Sequence, residues 1–146
     1  MAHAKIWFSV AHLKWARLWL LLGALLVCLI FYLSLTSSGL PVPRFSNADK
    51  VFHLLAYGAL MGWFVQIFHH HKGRLLIASM FVLMGVAIEF LQAMHPMRHF
   101  DVLDMLANFT GVMLALLAGM TWLDSILVRL ERLWLALFGN AGEYAG

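Results

Sequence analysis

Leu18 to Thr36 runs for nineteen residues without a charged side chain. A helix needs ~20 apolar residues to cross the hydrocarbon core of a bilayer. Three further segments repeat the pattern: Val51 to Phe68, Leu75 to about His95, and about Val102 to Leu123. The links between them are short, and Pro41, Pro43 and Pro96 all fall there, where a helix breaks. In lipid every backbone amide must be satisfied within its own element or its neighbour, which leaves helices and closed barrels. Runs of this length specify helices. The chain is therefore expected to be an all-α membrane protein, a single unit over 1–146. Its four transmembrane helices are expected at about 18–36, 50–68, 75–95 and 102–123.

Composition agrees. The chain is 63% hydrophobic and only 12% charged, with a mean hydropathy of +0.85, against roughly 25% charged residues in soluble proteins. A sequence pI near 9.4 raises nucleic-acid binding, but the basic residues are scattered singly between apolar runs instead of clustering on one face. No nucleic-acid partner is expected. Cys28 is the one cysteine. It excludes an internal disulfide and a CxxC site, and reads as a small apolar packing residue. The first apolar run exceeds the roughly 7–15 residues of a signal-peptide core, so a retained helix is expected.

Lys5, Lys14, Arg17, Lys72, Arg74, Arg129 and Arg132 fall in the two tails and the middle link, against Arg44, Lys50 and Arg98 in the other two links. The positive-inside rule then puts both termini in the cytoplasm. Most tryptophans lie near expected helix ends, as interfacial aromatics do. Both tails look amphipathic. In the second, Ile126, Leu127, Leu130 and Leu133 oppose Arg129 and Arg132. Each tail either lies along the inner surface or extends the neighbouring span.

The intramembrane polar residues gather at the helix ends that adjoin the outer links. Asp49, His53 and Tyr57 share one face of the second helix at i, i+4 and i+8. Glu89 and Gln92 are three apart on the third helix; Asp101, Asp104 and Asn108 share a face of the fourth. Glu89 lies about 9 Å below a helix end at His95, and Asn108 about 10 Å below a start at Asp101. The groups can therefore meet in one outward pocket made of Asp49, Lys50, His53, Tyr57, Glu89, Gln92, Arg98, Asp101, Asp104 and Asn108. Arg98 is expected to pair with Asp101 or Asp104, and Glu89 with His53 or Lys50. No metal triad, phosphate loop or nucleophile motif accompanies them, and no metal or cofactor is expected. The histidines at 69–71 read as an interfacial turn, and His95 and His99 flank the pocket. Gly58 and Gly62, with Ala107, Gly111, Ala115 and Gly119, give small-residue stripes that let helices approach.

At these residues the chain resembles the VanZ-like family of small bacterial membrane proteins. "DKVFHLLAYGAL" followed by "EFLQAMHPMRHFDVLDMLANFTG" is similar to the family pattern at Asp49, Lys50, His53, Tyr57, Glu89, Gln92, Arg98, Asp104, Asn108 and Gly111; Asp101 is a looser position. The likeness covers about 49–119. It implies a multi-pass protein of the bacterial inner membrane. Its namesake lowers susceptibility to teicoplanin without remodelling the peptidoglycan precursor.

The leading functional reading is a non-enzymatic envelope protein whose pocket binds a membrane lipid, a lipid-linked envelope precursor, a phosphate head group or a lipoglycopeptide antibiotic. In it Lys50 and Arg98 hold the anion. The alternative is a membrane enzyme on such a lipid, with Glu89, His53 and Asp104 as catalytic acid–base candidates. A transporter fits less well, because the inner halves of the helices lack charge. A purely structural clamp remains the plain counterpart of all three. The sequence leaves oligomeric state open.

Overall fold

The computed structural model describes residues 12–36, 47–96 and 100–139, apart from the side chain of Trp122. Among them are five helices, α1 (Ala16–Leu35), α2 (Ala48–Ile67), α3 (His71–Ala93), α4 (Val102–Ala118) and α5 (Ile126–Phe138), with a 3-10 turn (Trp122–Ser125) before the last. No β-strand occurs among the described residues. The first three helices are each long and apolar enough to cross a membrane, and α4 joined to the segment 123–138 has the length and apolarity of a fourth, broken span. Large apolar side chains such as Leu25, Tyr32, Leu55, Leu83, Leu106 and Leu117 point outward and are more than half exposed. In water such a surface would aggregate, and in lipid it is the solvated face.

The bundle is organised by the contact between α2 and α4, which run side by side with almost no side chain between them. A Cβ added at Gly111 would collide with the carbonyl oxygen of Leu54 and lie 2.9 Å from the nitrogen of Gly58. One turn further on, a Cβ at Gly62 would sit 4.0 Å from that of Ala115. The small-residue stripes thus do what their spacing predicts. Tyr57, Leu60, Met61, Val112 and Leu116 are buried about this seam.

Two charged residues lock the pole where α1 and α3 begin. The buried guanidinium of Arg74 donates to the carbonyls of Phe68 (2.6 Å), Gly119 (2.6 Å) and Val65 (2.7 Å), and to Asp124 Oδ2 (3.1 Å). Those carbonyls lie at the C-terminal ends of α2 and α4, where a helix leaves acceptors unpaired and its dipole favours a cation. Glu131 does the converse for α1. Its carboxylate accepts from the backbone N–H of Lys14 (2.6 Å) and Trp15 (3.0 Å) and from the Trp19 indole (2.6 Å). Gln66 accepts from the Leu127 amide at 3.0 Å, fastening α5 to α2.

Several expectations change. α4 ends at Ala118, short of Leu123, and the chain then turns through 83° between 102–118 and 123–138. The C-terminal tail is therefore a separate helix and does not continue α4 in a straight line. Its buried side carries Leu127 and Glu131, while Leu130, Leu133 and Leu137 are exposed. Cys28 is exposed on α1 and packs no core, because the buried side of α1 is set by Gly23 and Ile30. Trp19 and Trp63 pack on each other, ring centroids 5.8 Å apart, and the Trp63 indole donates to the Trp19 carbonyl at 3.0 Å. They are packing residues as well as aromatics near a helix end. The N-terminal tail before His12 lies outside the described residues.

Gly111→Ala is expected to lower stability by about 2 kcal/mol or more, since the methyl meets backbone that cannot yield without parting the helices. Gly62→Ala, with open space at the same seam, should stay near wild type. Thermal denaturation in detergent separates the two. Arg74→Lys keeps the charge but loses the planar fork. It should fall between wild type and Arg74→Ala, the latter losing on the order of 3 kcal/mol.

Candidate functional site

The opposite pole gathers the start of α2, the end of α3 and the start of α4. Lys50, in the first turn of α2, extends its ammonium to Asp101 Oδ2 (2.6 Å), Asp49 Oδ2 (2.8 Å) and Asp104 Oδ1 (3.0 Å). An ammonium has three donors, and here each has a carboxylate. Asp101 serves twice, because its Oδ1 caps α4 by accepting from the Leu103 amide at 2.8 Å. The Lys50 hydrogen bond, followed by that from Leu103, holds the Asp101 carboxyl below its ordinary value of 3.8. A depressed folded-state value means a contribution complete above the unfolded value and lost as pH falls through the folded one.

One turn deeper, His53 Nδ1 lies 3.1 Å from Asn108 Oδ1, and its Nε2 lies 3.5 Å from Asp104 Oδ2. One ring nitrogen thus meets the amide of Asn108 and the other the carboxylate of Asp104. Glu89 reaches the same place from α3. Its Oε2 accepts from the Asp101 amide at 3.4 Å, while Oε1 has no partner. Tyr57 OH and Asn108 Nδ2 are likewise buried without a partner. Each of these three residues is only 1% exposed. Unpaired buried polar atoms cost about 1–3 kcal/mol apiece, which makes three at one place notable.

The pole thus unites Asp49, Lys50, His53, Tyr57, Glu89, Asp101, Asp104 and Asn108. Gln92 is turned to α1, where its amide donates to the Ser34 carbonyl at 2.7 Å. Arg98 and His99 lie outside the described residues. The ion pair expected between Glu89 and Lys50 or His53 does not form among the described residues. Lys50 is committed to three aspartates, and His53 lies between Asp104 and Asn108. Lys50 supplies a counter-charge to Asp101 and Asp104, and the pairing expected of Arg98 lies outside the described residues. Gly85 is a site residue that sequence reasoning overlooked. A Cβ there would lie 3.1 Å from Asn108 Nδ2 and 3.3 Å from Tyr57 Cε1, so the missing side chain makes room for both. Its place four residues before Glu89, on the same helix face, is the signal that was available.

Among the described residues, two groupings have atoms close enough to hold a cation. Asp49, Asp101 and Asp104 form one, already occupied by the Lys50 ammonium. His53, Glu89 and Asp104 form the other, each offering an atom within 4.8 Å of the rest. The latter can also share a proton between carboxylates and an imidazole, as an acid–base site requires.

Lys50→Met is expected to destabilise the protein by about 3 kcal/mol, because Asp104 is left partly buried without its counter-charge. Lys50→Met with Asp104→Asn should recover a measurable part, as coupled neighbours do. Thermal denaturation at neutral pH measures both. Acidification below about pH 3.8 should cost the wild type stability through Asp101 and cost Lys50→Met less.

No curated relative and no solved structure matches the chain. A family model described as VanZ/LLP1 matches residues 19–123. That span takes in nearly all of α1, the whole of α2, α3 and α4, and every residue of the polar pole, and it leaves α5 outside. A match over most of the sequence makes this chain a member of the VanZ/LLP1 family.

Proposed function

We propose that this VanZ-like protein resides in the bacterial inner membrane with both termini in the cytoplasm. Its Lys50 pole then faces outward and binds the hydroxyl- and amine-rich head of a lipid-linked glycan or a lipoglycopeptide such as teicoplanin. The observation that carries the reading is the polar pole itself. Three buried polar atoms there lack a partner, against one, His70 Nδ1, at the other pole, where Arg74 and Glu131 are fully engaged. Lys50 has no donor left for a bare phosphate, so it does not serve as the anion holder. The rim carboxylates of Asp49 and Asp101 keep acceptor capacity for hydroxyls and amines. An apolar groove between α3 and α4, lined by Ala78, Val82, Leu83, Phe109 and Met113, suits an acyl chain.

A second reading, an enzyme acting on the same lipid-linked class, is favoured by the approach of His53, Glu89 and Asp104 to within 4.8 Å. In it Glu89 and His53 exchange a proton with the substrate, and Asp104 orients the imidazole.

The purified protein in nanodiscs should bind a polyprenyl-diphosphate glycan or teicoplanin saturably. Asp101→Asn and Glu89→Gln should weaken binding at least ~10-fold, or about 1.4 kcal/mol, the latter with unchanged thermal stability. Equal binding by both variants would remove the pole from the function. Conversion of the glycan lipid, lost in Glu89→Gln, would select the enzyme. In a Cys28→Ser background, Asn47→Cys should react with an impermeant thiol reagent in intact cells and His69→Cys should not; the reverse would invert the orientation.

A further inference from the structure

We propose that His53, Glu89 and Asp104 form a binding site for a divalent transition-metal cation, with Zn²⁺ as the representative ion. The three side chains come from α2, α3 and α4, and their ligand atoms lie within 4.8 Å of one another. The His53 Nε2 to Asp104 Oδ2 separation of 3.5 Å suits two ligands of one ion whose bonds are each about 2.0–2.2 Å.

Three features distinguish this group from an ordinary acidic cluster. First, His53 Nδ1 lies 3.1 Å from Asn108 Oδ1, a contact at the other ring nitrogen of the kind that orients metal-binding histidines, and Nε2 is turned toward Asp104. Second, Glu89 is 1% exposed and its Oε1 has no hydrogen-bond donor. A buried carboxylate oxygen without a donor is suited to a cation. Third, Lys50 sits on the far side of Asp104 and neutralises Oδ1, and Oδ2 remains directed at His53. Asn108 Nδ2 and Tyr57 OH, also buried and unpartnered, are placed nearby to hydrogen-bond a metal-bound water.

One imidazole with two carboxylates favours Zn²⁺ or Mn²⁺ over Mg²⁺ and Ca²⁺, which prefer all-oxygen sites. The site goes beyond the proposed ligand binding and does not depend on it. If that reading also holds, the ion supplies the positive charge that the diphosphate of a lipid-linked glycan requires and that Lys50, saturated by aspartates, does not.

The test uses the full chain in detergent, stripped with a chelator and titrated with Zn²⁺ alone, by calorimetry and by metal analysis after dialysis. A competing site is built into the sequence, His69, His70 and His71, so the reference is the triple variant H69A/H70A/H71A. This reference should bind one equivalent of Zn²⁺, at least ~10-fold more tightly than Mg²⁺. Adding E89Q or H53Q should weaken Zn²⁺ at least ~10-fold. Should those variants unfold, NMR of ¹⁵N-histidine in the reference decides instead. Zn²⁺ must shift His53 Nε2 while Nδ1 keeps its proton. No stoichiometric binding by the reference, equal affinity for Mg²⁺, retained affinity in folded E89Q, or an unshifted His53 would each overturn the proposal. Glycan or teicoplanin binding by chelator-stripped protein is measured separately. Teicoplanin, which carries no diphosphate, reports on the ligand reading alone, so either proposal can fail without the other.

Discussion

The approach of α2 to α4 without intervening side chains is the contact on which the rest of the molecule depends. At Gly111 the two backbones are closer than any side chain permits, the Leu54 carbonyl and the Gly58 nitrogen filling the space of a Cβ. In lipid, helix association has no hydrophobic drive and relies on such packing. The same approach sets what happens above it. With Gly58 and Gly111 in register, Lys50 and His53 on α2 face Asp104 and Asn108 on α4, and Gly85 lets α3 bring Glu89 and leaves room for Asn108 and Tyr57. A polar site at the end of a membrane bundle thus rests on small residues in its middle.

The two poles treat charge differently. Around Arg74 the donors end on carbonyls and a carboxylate; around Glu131 both oxygens receive donors. These groups offset their own burial and finish helix ends, as buried charges must if they are to be tolerated. The Lys50 pole is only partly self-sufficient. Lys50 satisfies the rim carboxylates, yet beneath it Tyr57, Glu89 and Asn108 keep polar atoms without partners. A clamp evolved for stability alone would pair them or replace them with apolar residues, because half-satisfied networks are costly. The proposed ligand or ion would satisfy this unspent polarity.

Charge balance in this pole also narrows the chemistry. Among the described residues, four carboxylates, those of Asp49, Glu89, Asp101 and Asp104, surround one ammonium and one imidazole. Such a set holds cations, hydroxyls and amines more readily than a naked anion. Lys50, which by its type reads as a phosphate holder, is better described as the ion that keeps three aspartates together.

The sequence by itself determined the apolar spans, the small-residue seam and most of the polar residues that meet, because helical periodicity and the intolerance of lipid for stray charge are local, composition-level constraints. Asp49, His53 and Tyr57 had to share a face, and Asp104 and Asn108 had to share another. Tertiary structure alone decided who pairs with whom. Lys50 has three nearby carboxylates only once α2 meets α4, and that leaves Glu89 with an amide where a cation was expected. Gln92 is drawn off to a carbonyl of α1. Arg74 counted in the sequence only as a basic residue of the middle link, and Glu131 drew no notice within the amphipathic tail. Both are buried because the orphan carbonyls of α2 and α4 and the orphan amides at the start of α1 come within reach only when helices remote in sequence end at the same pole. Spacing along one helix fixes a face, but the partner on the next helix is set by the angle and depth at which the two backbones meet.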